Sequence, residues 1–218
     1  MTRRGNQALA ALLLAAAIPA RAADIRLADV NGDMCNPLEK KVCFTLLIEG
    51  TIQKGDNATL ITLVNKLTTK TTRVGKVHFD SPGGDVFEAM ELGRTIRRGL
   101  MMTQVTSDSR CYSACVIAFV SGVIRAPIGE IGVHSFYSKE FTGLAAFAEA
   151  STRHNEVAAK TEAYLREMRI PTALLDEMQR TPSYILRDIK PEERAKLGLL
   201  GVDPVYTQLY DTQLKKNK

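Results

Sequence analysis

From Cys43 to His134 the sequence alternates between short runs of strand character and segments of helical periodicity, which confines the chain to α/β architectures. Cys43 to Glu49 reads as a strand and stops at Gly50. Leu60, Ile61, Val64 and Leu67 then recur at helical spacing, with Asp56 as the expected cap. Lys76 to Asp80 is a second strand, ended by the punctuation Ser81-Pro82-Gly83-Gly84-Asp85; Val86, Met90, Leu92 and Ile96 mark the next helix. Met101 to Thr106 is a third strand. A loop through Ser107, Asp108 and Ser109 leads into a helix expected to begin near Tyr112, and Ile128 to His134 is a further strand with a glycine turn. A long amphipathic stretch follows from Phe141 to Arg169. Pro171 restarts a helix through Met178, and Pro191 to Leu197 predicts a short helix ended by Gly198. The pattern implies βαβ units around a parallel sheet, in which ligands lie beyond the carboxyl ends of the strands.

The amino end reads differently. Arg3 and Arg4 precede an uninterrupted apolar run, Ala8 to Ala17, and Ala20-Arg21-Ala22 has the small-x-small form of a signal-peptidase site. Residues 1–22 are expected to be a signal peptide, so the protein is expected to be periplasmic or secreted. No later apolar run reaches the length of a membrane span. Without the signal peptide, 26 Lys and Arg face 24 Asp and Glu, a net charge of +2. The residual basicity gathers at Lys215, Lys216 and Lys218, which reads as a solvated end and excludes nucleic acid as an expected partner. The remaining 196 residues suit one domain.

Export makes disulfides plausible for the four cysteines. Cys35 and Cys43 flank a short polar segment and are expected to close a small loop. Cys111 and Cys115 flank Ser113 and read equally well as a one-turn bridge or as two buried thiols. No histidine pair is spaced for a metal, so neither metal nor cofactor is expected.

The chemistry concentrates at the predicted strand ends. Ser113 heads the apolar run from Cys115 to Val120, where it reads as an N-cap or as a nucleophile. Helix-start N–H groups make the amide of Ala114 one expected oxyanion donor, and the tight Gly83-Gly84 turn supplies Gly84 as the second. His134 ends a strand near the same rim and is the expected base. His78 reads as a satisfied strand residue and His154 as solvated. Asp188 is equally readable as an acid orienting the imidazole or as a surface ion pair.

Ser-Pro-Gly-Gly after a strand, a serine at a helix start and a strand-ending histidine resemble the Clp protease proteolytic-subunit family and its crotonase-like superfold. The resemblance covers roughly residues 43 to 203 and is strongest over 77–134. It implies a domain over 43–205, preceded by an extension (23–42) and followed by a basic tail (206–218). It also implies Ser113 as nucleophile, His134 as base, Asp188 as orienter, and Gly84 and Ala114 as oxyanion donors. The long helix after His134 resembles that family's handle helix, which implies a trimer or ring. The substrate expected is a peptide or protein cleaved without ATP, because an exported enzyme is not fed by a cytoplasmic unfoldase. Three other functions fit the sequence: a Ser–Lys peptidase using Lys139, acyl-thioester chemistry, and an inactive binding or assembly module.

Overall fold

The protein is described here by a computed structural model covering residues 22–29, 41–136 and 144–216. The alternation becomes strands β1 (Asp24–Asp29) and β2 (Val42–Glu49), helix α1 (Asp56–Leu67), β3 (Thr72–Asp80), α2 (Val86–Arg98) and β4 (Met102–Val105). There follow β5 (Arg110–Tyr112), α3 (Ala114–Phe119), β6 (Ile124–Pro127), β7 (Glu130–Val133) and α4 (Leu144–Glu167). The chain ends with α5 (Ala173–Arg180), β8 (Arg187–Asp188), α6 (Pro191–Arg194), β9 (Gly201–Val202) and α7 (Pro204–Lys216).

A six-stranded sheet runs in the order β1-β2-β3-β4-β6-β9. Its four central strands are parallel, as the alternation predicts, and both edge strands are antiparallel. A second sheet, β5-β7-β8, is reached from the first through Ser81, which bridges Cys111 beyond the end of β3. Among the described residues no helix is long and apolar enough to cross a membrane.

The sequence reading differs from this architecture in several places. The segment read as an extension contains β1, which pairs with β2 along most of its length. The segment read as a tail is largely the helix α7. The strand expected over Ile128 to His134 is the shorter β7, preceded by a strand, β6, that the sequence reading lacks, and the helix expected from Tyr112 is preceded by β5 and begins at Ala114. Gly55, not Asp56, occupies the N-cap of α1, because its left-handed φ of 105° makes the turn; the Asp56 carboxylate instead accepts the Gln53 N–H.

Helix α3 is apolar all round, so it is stable only when enclosed. All six of its residues are buried, packed against α2 and beneath the sheets, and Phe119 meets Phe79 of β3 edge to face at 6.3 Å. Helix α2 presents Ala89, Met90, Leu92, Gly93 and Ile96 to the same core. The C-terminal half of α4 also turns inward, burying Ala158, Tyr164 and Leu165, so that part of the stripe expected to face another subunit is satisfied within the domain. The side chains of Leu144, Phe147 and Ala150 lie outside the described ones.

Tyr164 connects these layers. It is fully buried, its hydroxyl donates to the Ile117 carbonyl of α3 at 2.9 Å, and it fills the space left by Gly93, where a Cβ would come within 1.8 Å of that hydroxyl. Burial pushes the Tyr164 phenol well above its ordinary pKa, so it stays a donor. Tyr164→Phe is expected to leave the Ile117 carbonyl short of a partner and cost about 1–3 kcal/mol, read as a lowered denaturation midpoint.

Asp203 anchors α7. It accepts the N–H groups of Val205 (2.8 Å) and Tyr206 (3.2 Å) and is paired with Arg97 while almost fully buried. Burial alone would raise its carboxyl, but the Arg97 guanidinium and the two N–H donors outweigh it and hold the pKa below the ordinary Asp value. A depressed folded pKa means that this contribution is full above the unfolded value, about 3.9, and is lost as pH falls through the folded value. Asp203→Asn is expected to cost about 2 kcal/mol near neutrality and to flatten the acid limb of the stability curve, which denaturant titrations across pH would show.

Candidate active site

Ser113 occupies the one-residue joint between β5 and α3. Its φ of 54° and ψ of −124° lie far from helix and strand, and its side chain makes no capping hydrogen bond. The ordinary role of a helix-start serine is therefore absent. A non-glycine residue in such a conformation costs about 1–3 kcal/mol and persists only where its surroundings fix it. Here the backbone on its amino side is tied down twice. The Ser113 N–H donates to the Gly132 carbonyl at 2.9 Å, and the Tyr112 N–H donates to the Ser81 carbonyl at 3.0 Å. A strand, a strained serine and a helix in succession make a sharp turn with Ser113 at its apex.

Glycines usually make room at such a turn, and here cysteines flank the serine. The room comes instead from another segment. Gly83, with φ of 97°, lies so close that a Cβ there would sit 2.7 Å from the Tyr112 carbonyl and 2.9 Å from both the Ala114 nitrogen and the Ser113 Cβ. Gly84, with φ of 145°, is pressed against Ile52 by a parallel bridge in which the Ile52 N–H donates to the Gly83 carbonyl and the Asp85 N–H to the Ile52 carbonyl. Among the described residues neither the Gly84 N–H nor the Ala114 N–H finds an acceptor. Two unpaired backbone donors thus belong to the two segments that meet at Ser113.

His134 follows β7 directly. Tyr112 of β5 is level with Gly132 of β7, so Ser113 and His134 leave neighbouring parallel strands one step apart. The His134 Nδ1 lies 2.8 Å from the Ser135 carbonyl, which can only accept, so Nδ1 carries the hydrogen and Nε2 is the basic nitrogen of the neutral ring. Asp188 pairs with Gly132 from the opposite side of β7. Its carboxylate is 2.6 Å from Lys190 Nζ, a solvent-screened pair that raises the lysine's pKa. Leu186 and Tyr112 fill the space over Gly132, each within 3 Å of where a Cβ would be. The imidazole Nδ1 thus meets a backbone carbonyl, a contact that residue types alone do not reveal.

Cys111 and Cys115 form a disulfide around Ser113, with Cα atoms 5.3 Å apart. Cys43 is also disulfide-bonded, while Cys35, its expected partner, lies outside the described residues. Lys139 lies outside them too. His78 Nε2 meets Gln104 Oε1 at 3.1 Å inside the sheet. The ring of His154 is half-buried and 6.1 Å from that of Phe136, rather than simply solvated. Tyr112 donates its hydroxyl to Glu130, which pushes the phenol's pKa up. Among the described residues no group of three or more His, Cys, Asp or Glu forms a metal site.

This is the Clp-protease-like, crotonase-type α/β fold. Two solved structures of the 1510-N membrane-bound stomatin-specific protease share it. A serine-to-alanine mutant superposes with a TM-score of 0.54 at 14% identity, covering 78% of this chain and 84% of that one. A lysine-to-alanine mutant in complex with a substrate peptide gives 0.53 at 16% identity, covering 75% of each chain. No family model matches the chain, and neither does any curated protein.

Proposed function

We propose that the protein is an exported serine peptidase that cleaves accessible peptides through an acyl-enzyme at Ser113. The observation that carries this reading is the strained conformation of Ser113, held beside two unpaired backbone N–H groups. The His134 Nε2 takes the Ser113 proton as Oγ attacks the substrate carbonyl. The Gly84 and Ala114 N–H groups receive the oxyanion. Collapse of the tetrahedral species passes the proton to the leaving amine, and water then releases the acyl group. The Ser135 carbonyl holds the ring, and Asp188 acts only at longer range. The protease that shares the fold is seen with a substrate peptide in one of its two structures, which supports a peptide substrate here. The disulfide at the site supports an oxidising compartment.

The lysine mutated in one relative favours a second reading, in which Lys139 is the base. Labelling by a fluorophosphonate separates the two. His134→Ala is expected to slow labelling by about 100-fold or more and Lys139→Ala by less than about fivefold. The reverse ranking would replace His134 by Lys139. Asp188→Asn is expected to cost less than about tenfold, against about 10⁴ for an acid that sets the tautomer directly.

A further inference from the structure

The Cys111–Cys115 bond has a position that global stability does not explain. It closes a segment of only five residues, for which the constraint on the unfolded chain is small compared with that from a long loop. Its ends are the middle residue of β5 and the second residue of α3, and both cysteines are fully buried. Ser113 is the midpoint of the ring so formed. On its amino side the chain is fixed by the Ser81 and Gly132 hydrogen bonds. On its carboxyl side the Ser113 carbonyl accepts only the Val116 N–H of α3 itself, at 3.0 Å, and the Ala114 N–H is unpaired, so the disulfide is the covalent tie that returns α3 to β5.

We infer that the Cys111–Cys115 disulfide is the positioning device of this active site: it holds Ser113 at positive φ, so hydrolysis requires the bond to be closed. The inference rests on Ser113 being the nucleophile. Opening requires two electrons and two protons. A dithiol reductant attacks one sulfur, both cysteines become thiols, and the reductant leaves as its own disulfide. The freed segment then relaxes toward negative φ at Ser113, withdrawing Oγ and the Ala114 N–H together.

The test uses the oxidised full chain treated with increasing dithiol. Free thiols at Cys111 and Cys115 are counted by alkylation and mass spectrometry, and fluorophosphonate labelling is followed at several probe concentrations. The maximal labelling rate is expected to fall at least about fivefold as the bond opens, which corresponds to the low end of the strain held at Ser113. The half-saturating probe concentration and the far-ultraviolet circular dichroism should stay unchanged, and reoxidation should restore the rate. Full-rate labelling with both thiols alkylatable would overturn the inference. The variant Cys111→Ala/Cys115→Ala, which leaves the Cys43 bridge intact, should show the same loss. If the oxidised protein is not labelled at all, the nucleophile assignment fails. Amide hydrogen exchange then decides the positioning role alone: faster exchange of the Ser113 and Cys115 amides on reduction supports it, and unchanged exchange refutes it.

Discussion

Ser113→Gly is expected to abolish hydrolysis and at the same time stabilise the protein. Removing the hydroxyl eliminates the attacking atom, for which losses of about 10⁴-fold or more in turnover are usual when a nucleophile is deleted. Glycine also occupies positive φ without the Cβ clash that Ser113 bears at 54°. The gain should be about 1 kcal/mol, or a rise of about 2–4 °C in melting temperature for a domain of this size. Ser113→Ala removes the same hydroxyl but keeps the Cβ, so it should be equally inactive with nearly unchanged stability. Calorimetry on the two variants separates the chemical effect from the conformational one. A glycine variant less stable than the alanine variant would mean that the turn is not strained.

Gly84→Ala should be among the most damaging single-methyl additions in the molecule. Its Cβ would lie 2.1 Å from the Ile52 carbonyl oxygen and 2.9 Å from the Ile52 nitrogen, and φ is 145°. Those neighbours are backbone atoms of a bridged segment, so they do not swing aside as a side-chain tip does. A loss of about 3 kcal/mol or more is expected, with loss of labelling beyond about 100-fold as the N–H leaves the oxyanion position. Gly55→Ala is the control. Gly55 also has a left-handed φ, 105°, but a Cβ there meets nothing within 4 Å. Its cost should be limited to the backbone term, about 1 kcal/mol. Equal damage from the two substitutions, measured by urea denaturation, would show that close approach to Ile52 is not what Gly84 provides.

The parallel sheet could be read from sequence because its strands are buried runs separated by helices of clear periodicity. The strand ends were legible for the same reason, and they carry Gly83, Gly84, Ser113 and His134. The short edge elements were not. The strands β8 and β9 have two residues each, too few for an alternation to register, and they exist because β7 and β6 offer an open edge. The segment β1 directly follows the stretch that reads as a signal peptide, where no repeated pattern marks it. At the candidate site, residue types do not reveal the contacts. That Ser113 departs from helical φ, that Gly83 rather than a neighbouring residue makes room for it, and that the Ser135 carbonyl holds His134 are all consequences of chain path. Asp188 shows the limit most clearly. Its position opposite Gly132 follows from strand pairing, while its carboxylate pairs with Lys190, two residues on, which residue types do not foretell.

The nucleophile is the claim on which the rest depends. Treating the oxidised protein with a fluorophosphonate and locating the adduct by peptide mass spectrometry tests it most directly. The expected result is a single phosphonyl adduct on Ser113, in the peptide that carries the Cys111–Cys115 bridge, and none on the Ser113→Ala variant. An adduct on another serine, or no adduct on a folded, oxidised protein, would contradict the account.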